Sequence, residues 1–220
     1  MQKKIIIALD GPSGSGKSTV AKELSKRLNI LYLDTGAMYR ATAVKAISLG
    51  IDTLDERGVD TFIRDINLQI KYIDGAQRTF LDGVDVSDKI REPHVSMAAS
   101  NISSLKAVRL KMVEMQRKIA SEVSCVLDGR DIGSFVLPDA EYKFYITASV
   151  DVRAKRRFDE LKAKGHDVDY NQLKQEIEQR DYNDKHRDFA PLVKAKDAVV
   201  IDTSGMSVND VLEKVLSYIR

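Results

Sequence analysis

The chain has 220 residues, with 35 Lys+Arg against 33 Asp+Glu and a formal net charge of +2 at pH 7. So even a balance excludes a surface that is cationic overall, as a general nucleic-acid binder would need, and leaves any basic chemistry local. The length suits one well-buried core, at most with an insertion. The lone cysteine, Cys125, excludes an internal disulfide.

In chain order the first element is the apolar run IIIAL (5–9), a strand, followed by the glycine-rich loop 9–19 and a helix over 17–28. LYL (31–33) reads as a second strand, and helices follow over 36–49 and about 55–65. Residues 67–90 then alternate at period two, with Leu68, Ile70 and Tyr72 on one face and turns at Asp74-Gly75 and Asp82-Gly83. That pattern predicts a small antiparallel meander. One long helix or a pair lies within 92–121, strands at 125–127 and 142–146, helices over 151–164 and 170–187, a strand at 198–201 and a helix over 207–219. Continuously apolar strands separated by helices imply an α/β fold around a five-stranded parallel sheet buried on both faces. No repeat, low-complexity tract or Pro/Gly/Ser linker marks a second independent domain. The five apolar residues between Lys4 and Asp10 are too few for a secretion signal, and no run is long enough to span a membrane. A soluble cytoplasmic protein without a membrane partner is expected.

Gly11, Gly16, Lys17 and Ser18 fit G-x-x-x-x-G-K-[ST], directly after a buried strand and directly before a helix. Glycines let backbone N–H groups converge on phosphate oxygens, and the helix N-terminus adds partial positive charge. The loop Gly11, Pro12, Ser13, Gly14, Ser15, Gly16, Lys17, Ser18 and Thr19 is therefore expected to hold a triphosphate. Lys17 would reach the β- and γ-phosphates, the Ser18 hydroxyl would ligate Mg2+ and Thr19 would contact the α-phosphate. GTPases, ATP-driven machines and small-molecule kinases share this loop. The chain has no N-K-x-D tetrapeptide to read guanine, and its size favours a kinase.

Three clusters could bind a phosphorylated acceptor. In LDTGAMYR (33–40), Thr35 and Gly36 open a helix with Arg40 one turn inside, which is equally an ordinary helix cap with a surface arginine. In LDGRDIG (127–133), Asp128, Arg130 and Asp131 crowd the end of a strand, where open parallel sheets bind ligands, or form a local salt-bridge cluster. In RDYNDKHR (180–187), Arg180, Asp184 and Arg187 share one helix face, as a binding surface or as a solvated ion pair. Arg153, Arg156 and Arg157 line the helix before it. His94, His166 and His186 lack metal-ligand spacing, and Cys125, Met112 and Met115 read as packing residues.

The succession GPSGSGKST, DTGAMYR, a meander ending SDKIRE, SNIS, Arg109, DGRDIG, VRAKRR and RDYNDKHRDFAPL resembles the bacterial cytidylate kinases. The likeness runs from residue 5 to the C-terminus, with DGRD and the meander its most specific parts. It implies a P-loop nucleoside monophosphate kinase fold of one domain: a core of 1–62 and 101–220, a monophosphate-binding insert near 63–100 and a short lid near 155–166. It also implies transfer of the γ-phosphate of Mg·ATP to CMP and dCMP by a monomer that binds no nucleic acid. By resemblance Thr35 faces the ribose, Arg40 and Arg130 hold the CMP phosphate, and Ser100, Arg109 and Asp131 surround the cytosine. Asp184 and Arg180 reach the ribose hydroxyls with Arg187 nearby. Arg153, Arg156 and Arg157 belong to the lid end that approaches the transferring phosphoryl group beside Lys17. Asp128 is implied to orient Mg2+ through water, with Asp34 its rival. A UMP-type or other small-acid kinase, or a P-loop ATPase using 153–164 as a basic face on nucleic acid, are the alternative readings.

Overall fold

A computed structural model describes residues 4–219. In chain order the elements are β1 (Ile6–Asp10), α1 (Lys17–Leu28), β2 (Leu31–Asp34), α2 (Thr35–Ser48) and α3 (Glu56–Ile63), then β3 (Leu68–Ile73), β4 (Ala76–Leu81) and β5 (Val84–Asp85). After these come α4 (Pro93–Ile102), α5 (Lys106–Glu122), β6 (Cys125–Gly129), β7 (Tyr142–Thr147), α6 (Val150–Ala163), α7 (Tyr170–His186), β8 (Val199–Asp202) and α8 (Val208–Leu216). They fall into two compact units, one of residues up to Tyr32 with those from Ser124 onward, the other Leu33–Val123.

The first unit is built on the five-stranded parallel sheet, ordered β2-β6-β1-β7-β8. β1 lies at its centre, with Asp10 opposite Gly129 on one side and Tyr145 on the other. All five residues of β6 are buried, as expected of a strand covered on both faces. On one face α1 sets Val20, Ala21 and Leu24 against Ile7, Leu9, Val126 and Phe144, and α8 adds Val211, Leu212 and Val215. Elsewhere in the unit α6 packs on α7, with Ala154, Leu161, Leu173 and Ile177 forming a smaller core. Cys125 is fully buried, and that burial pushes its thiol up to about 12.

In the second unit the Asp34 carboxylate caps α2 by accepting from the Ala37 N–H at 2.9 Å. The meander pairs Leu68 with Leu81 through Ile73 with Ala76. Its turns have positive φ at both residues, 52° and 73° at Asp74-Gly75 and 51° and 83° at Asp82-Gly83, the geometry that hairpin turns demand. The 92–121 segment is a pair of helices: α4 begins on Pro93, which gives up no helical hydrogen bond there, and stops where Ser103 and Ser104 turn their hydroxyls onto the Ser100 and Asn101 carbonyls.

Beyond β6 the chain winds into a π turn over Ile132–Val136. Its cause lies across the sheet. The Asp10 carboxylate accepts the Ile132 and Gly133 N–H groups, each at 2.7 Å, one on each oxygen.

Gly11 joins β1 to the glycine loop with φ of 144°, and a Cβ there would lie 1.9 Å from the Ile146 carbonyl oxygen of β7. Gly11→Ala should therefore force the central strands apart, lowering stability by about 2 kcal/mol or more. Chemical denaturation of the unliganded protein measures it, and an unchanged midpoint would contradict the close approach.

Candidate active site

Parallel strands bring their C-terminal ends to one edge, so the loops after β1, β6 and β7 share a rim. After β1, the loop turns through φ of 75° at Gly14 and 92° at Gly16, and Gly16 ends it as the N-cap of α1 with no side chain capping that helix. The first amides of α1 are thus left for an anion. Lys17 lies back across the loop, its Nζ donating to the Pro12 carbonyl at 2.6 Å and the Ser15 Oγ at 3.2 Å. Burial, and then the neighbouring Arg130 guanidinium, push the Lys17 ammonium down to about 7 against the pull of Asp128, Asp10 and Asp184.

The Ser18 hydroxyl donates to Asp128 Oδ2 at 2.6 Å, and the Tyr32 hydroxyl donates to Asp128 Oδ1 at 3.1 Å. A hydroxyl and a carboxylate converging at the start of α1 are the hard oxygen donors that fit Mg2+, which retains waters and takes further oxygens from phosphate. No cluster of three His, Cys, Asp or Glu gathers among the described residues, and such an ion needs none.

After β6, Arg130 Nε donates to Asp184 Oδ2 of α7 at 2.7 Å. Arg187 closes the same group, 3.9 Å from Asp184 and 3.5 Å from Asp131. Burial works to raise the Asp184 pKa, but Arg130, Arg180 and Arg187 outweigh it and hold the carboxyl below its usual range. The same pairing overcomes burial at Arg130 and raises its pKa. Both clusters thus fold onto each other: Arg130 and Asp131 engage α7 rather than forming a local salt bridge, and Asp184 is buried rather than solvated.

After β7, α6 carries the three expected arginines into different surroundings. Arg153 is 3 % exposed and forks onto Asp181 at 3.1 and 2.6 Å, with further bonds to the Ala148 and Ser13 carbonyls. Arg156 donates to Thr203 Oγ1 at 3.0 Å and to the Thr203 carbonyl at 2.8 Å. Arg157 pairs with Glu160 at 2.8 Å on the surface.

The remaining expected residues lie in the second unit. Asp34 is occupied by its cap and by Arg40 Nη2, 3.1 Å from Oδ2, with Arg91 at 4.0 Å from the same oxygen. Thr35 is buried at the start of α2. Ser100 is buried on α4; Arg109 of α5, 1 % exposed, donates to the Ser103 carbonyl at 3.1 Å and lies 5.3 Å from the centre of the Tyr39 ring.

The sequence matches the model of the family described as "Cytidylate kinase" over residues 7–220. The chain belongs to the cytidylate kinase family. A "Cytidylate kinase" of Caldicellulosiruptor bescii is 51% identical over 97% of this chain and 95% of its own, and one of Pediococcus pentosaceus is 46% identical over 100% and 97%. A solved structure of an uncharacterized protein from Eubacterium ventriosum superposes with a TM-score of 0.54 at 17% identity, covering 98% of each chain, a likeness of fold.

Beyond the residues that the family resemblance named, the site uses Asp10, Tyr32, Asp181 and Thr203. Asp10 stands one residue before the glycine loop, yet its partners are 122 and 123 residues away. Thr203 donates to the Ser15 carbonyl at 3.1 Å across 188 residues. The signal available in the sequence was a polar residue at a strand end, Asp10 as the last residue of β1 and Thr203 just beyond β8, both buried.

The depressed Lys17 has a thermodynamic consequence. Between about 7, its value here, and its ordinary 10.5, the unfolded chain holds a proton that the folded one lacks, so stability rises with pH through that window. Lys17→Met should remove this rise and make the unliganded protein more stable than wild type near pH 7. Melting temperatures between pH 6.5 and 9 check both; a parallel dependence in the two proteins would refute the buried, disfavoured charge.

Proposed function

We propose that this member of the cytidylate kinase family transfers the γ-phosphoryl group of Mg·ATP to CMP and dCMP, giving CDP and dCDP, as a cytoplasmic monomer that engages neither nucleic acid nor membrane. Among the described residues no helix is long and apolar enough to cross a membrane. One observation carries the reading: Ser18 of the phosphate loop donates to Asp128 at 2.6 Å, two residues before the Arg130 that donates to Asp184 at 2.7 Å. A triphosphate cradle and an arginine-rich acceptor cluster therefore stand within electrostatic reach inside one unit.

Phosphoryl transfer between polyanions asks the protein for position and positive charge, because a loose transition state needs little covalent help. The residues 11–19 cradle the donor phosphates, Lys17 shifting from the Pro12 carbonyl to phosphate oxygens. Ser18 and Asp128 would hold Mg2+, Asp128 through water, and that ion supplies charge neutralisation at the phosphate oxygens. Asp34, committed to Arg40 and its cap, is the weaker candidate for that place. Arg40 and Arg130 hold the acceptor phosphate, while Thr35, Arg180, Asp184 and Arg187 orient the ribose. Asp131, with Ser100 and Arg109, reads the base: a carboxylate accepts from the exocyclic amine of cytosine and repels the carbonyl that uracil has there. α6, whose end near 155–166 acts as the lid, brings one arginine from among Arg153, Arg156 and Arg157 to the transferring group, and lid closure excludes water as a competing acceptor. The insert near 63–100 serves as the monophosphate-binding region of a single catalytic domain.

A coupled assay over CMP, dCMP, UMP, AMP and GMP tests the reading. CMP and dCMP should react fastest, with a preference over UMP below the about 10⁴ that a fully committed hydrogen-bonded site achieves. Equal rates on AMP and CMP would overturn the base assignment. Asp184→Ala should raise KM for CMP more than for ATP, and unchanged kinetics with both CMP and dCMP would remove Asp184 from the sugar site.

A further inference from the structure

Glycines explain why the phosphate loop can turn, but not why its peptides face one way. A trans peptide sets its C=O and the following N–H on opposite sides, and no peptide bond among the described residues is cis. Whatever grips a loop carbonyl from outside therefore aims the next amide inward. Two such grips come from far along the chain: Arg153 Nη1 on the Ser13 carbonyl at 3.1 Å, and Thr203 Oγ1 on the Ser15 carbonyl at 3.1 Å. They determine the directions of the Gly14 and Gly16 amides.

Each grip is itself held. Arg156 donates to Thr203 Oγ1 and to the Thr203 carbonyl, so one hydroxyl lone pair is taken and its single hydrogen is left for Ser15. Arg153 is forked by Asp181 of α7, donates through Nε to the Ala148 carbonyl and is buried. Four of its donor directions are thereby committed to protein acceptors. Its backbone also lies against the loop tip, where a Cβ on Gly14 would meet Arg153 Cβ at 3.2 Å. By contrast Arg157 is engaged by half-exposed Glu160, a solvent-screened pairing that a phosphate displaces readily.

We propose that Arg153 and Thr203 are positioning residues that aim the Gly14 and Gly16 amides at the donor phosphates, oriented in turn by Asp181 and Arg156, and that Arg157 is the α6 guanidinium left to meet the transferring phosphoryl group. This deepens the kinase reading and rests on it for the identity of the donor. A grip on the loop acts on donor binding, whereas a guanidinium on the transferring group acts on turnover.

The two roles separate in steady-state kinetics combined with calorimetric titration of Mg·ADP. Arg153→Met should weaken Mg·ADP and raise KM for ATP by about 10-fold or more, and Thr203→Val by about 3- to 10-fold, matching loss of a charged and a neutral hydrogen bond. KM for CMP should stay within about 3-fold in both, and kcat within about 5-fold, because the acceptor contacts are untouched. Asp181→Asn should move the same parameter, and the Arg153→Met/Asp181→Asn double variant should be no worse than Arg153→Met alone, as one pathway requires. Arg157→Met should instead lower kcat by about 10³ while sparing Mg·ADP binding.

A loss of that size in kcat for Arg153→Met with Mg·ADP binding intact would place Arg153 on the transferring group and overturn the proposal. Unaltered Mg·ADP binding in Thr203→Val would overturn it equally. Thr203→Val replaces a hydroxyl by a methyl and keeps the shape, so it decides the matter if circular dichroism shows Arg153→Met to be misfolded. Wild-type protein that binds Mg·ADP but phosphorylates no monophosphate would sink the function reading and leave the amide-aiming result standing.

Discussion

Four guanidinium groups of the site are each held by a carboxylate. Arg130 has Asp184, Arg153 has Asp181, Arg187 has Asp131 and Asp184, and Arg40 has Asp34. A buried charge left alone would cost several kcal/mol, and a pair of good geometry roughly balances that penalty without adding much stability. The pairs therefore serve arrangement more than stability: they keep rotamer-rich side chains at fixed places in the free protein, so that less entropy is lost when a substrate is bound.

The parallel sheet makes such pairing possible across long stretches of chain. β1, β6 and β7 run side by side in register, with Asp10 between Gly129 and Tyr145, so the loops that follow Asp10, Gly129 and Thr147 start from one edge. Asp10 ties the first of them to the second by accepting the Ile132 and Gly133 N–H groups, and Arg153 ties the first to the third by gripping the Ser13 carbonyl. Loops that would otherwise be mobile are bound to one another at the place where the strands make them neighbours.

Much of this was legible in the sequence, and the limit has a physical form. Strands such as β6 were readable because burial on both faces demands an unbroken apolar run, and the meander because period two and two Asp-Gly turns are local properties. The glycine loop was readable for the same reason, its requirement being met within a few residues. Clusters around Arg130 and Asp184 showed as charge patterns whose local reading, a nearby salt bridge or a wet helix face, was as good as any other until the fold supplied distant partners. Asp10, Asp181 and Thr203 were not legible because the partners through which each works lie in other elements. The π turn after β6 was missed likewise, since it answers to Asp10 and not to the residues that compose it.

Lys17 shows what this density of paired charge leaves for the substrate to do. Three carboxylates draw on its ammonium, yet burial and Arg130 prevail and push it down to about 7. The carboxylates are already committed to other partners: Asp128 to Ser18 and Tyr32, Asp10 to two amides, Asp184 to its arginines. The bonds of the lysine go instead to the Pro12 carbonyl and the Ser15 hydroxyl. In the kinase proposed above, a phosphate chain on the loop would supply the negative charge that the protein withholds. The unfavourable position of Lys17 in the free protein would then become part of the affinity for the proposed donor, because its relief would be available only when the donor is bound.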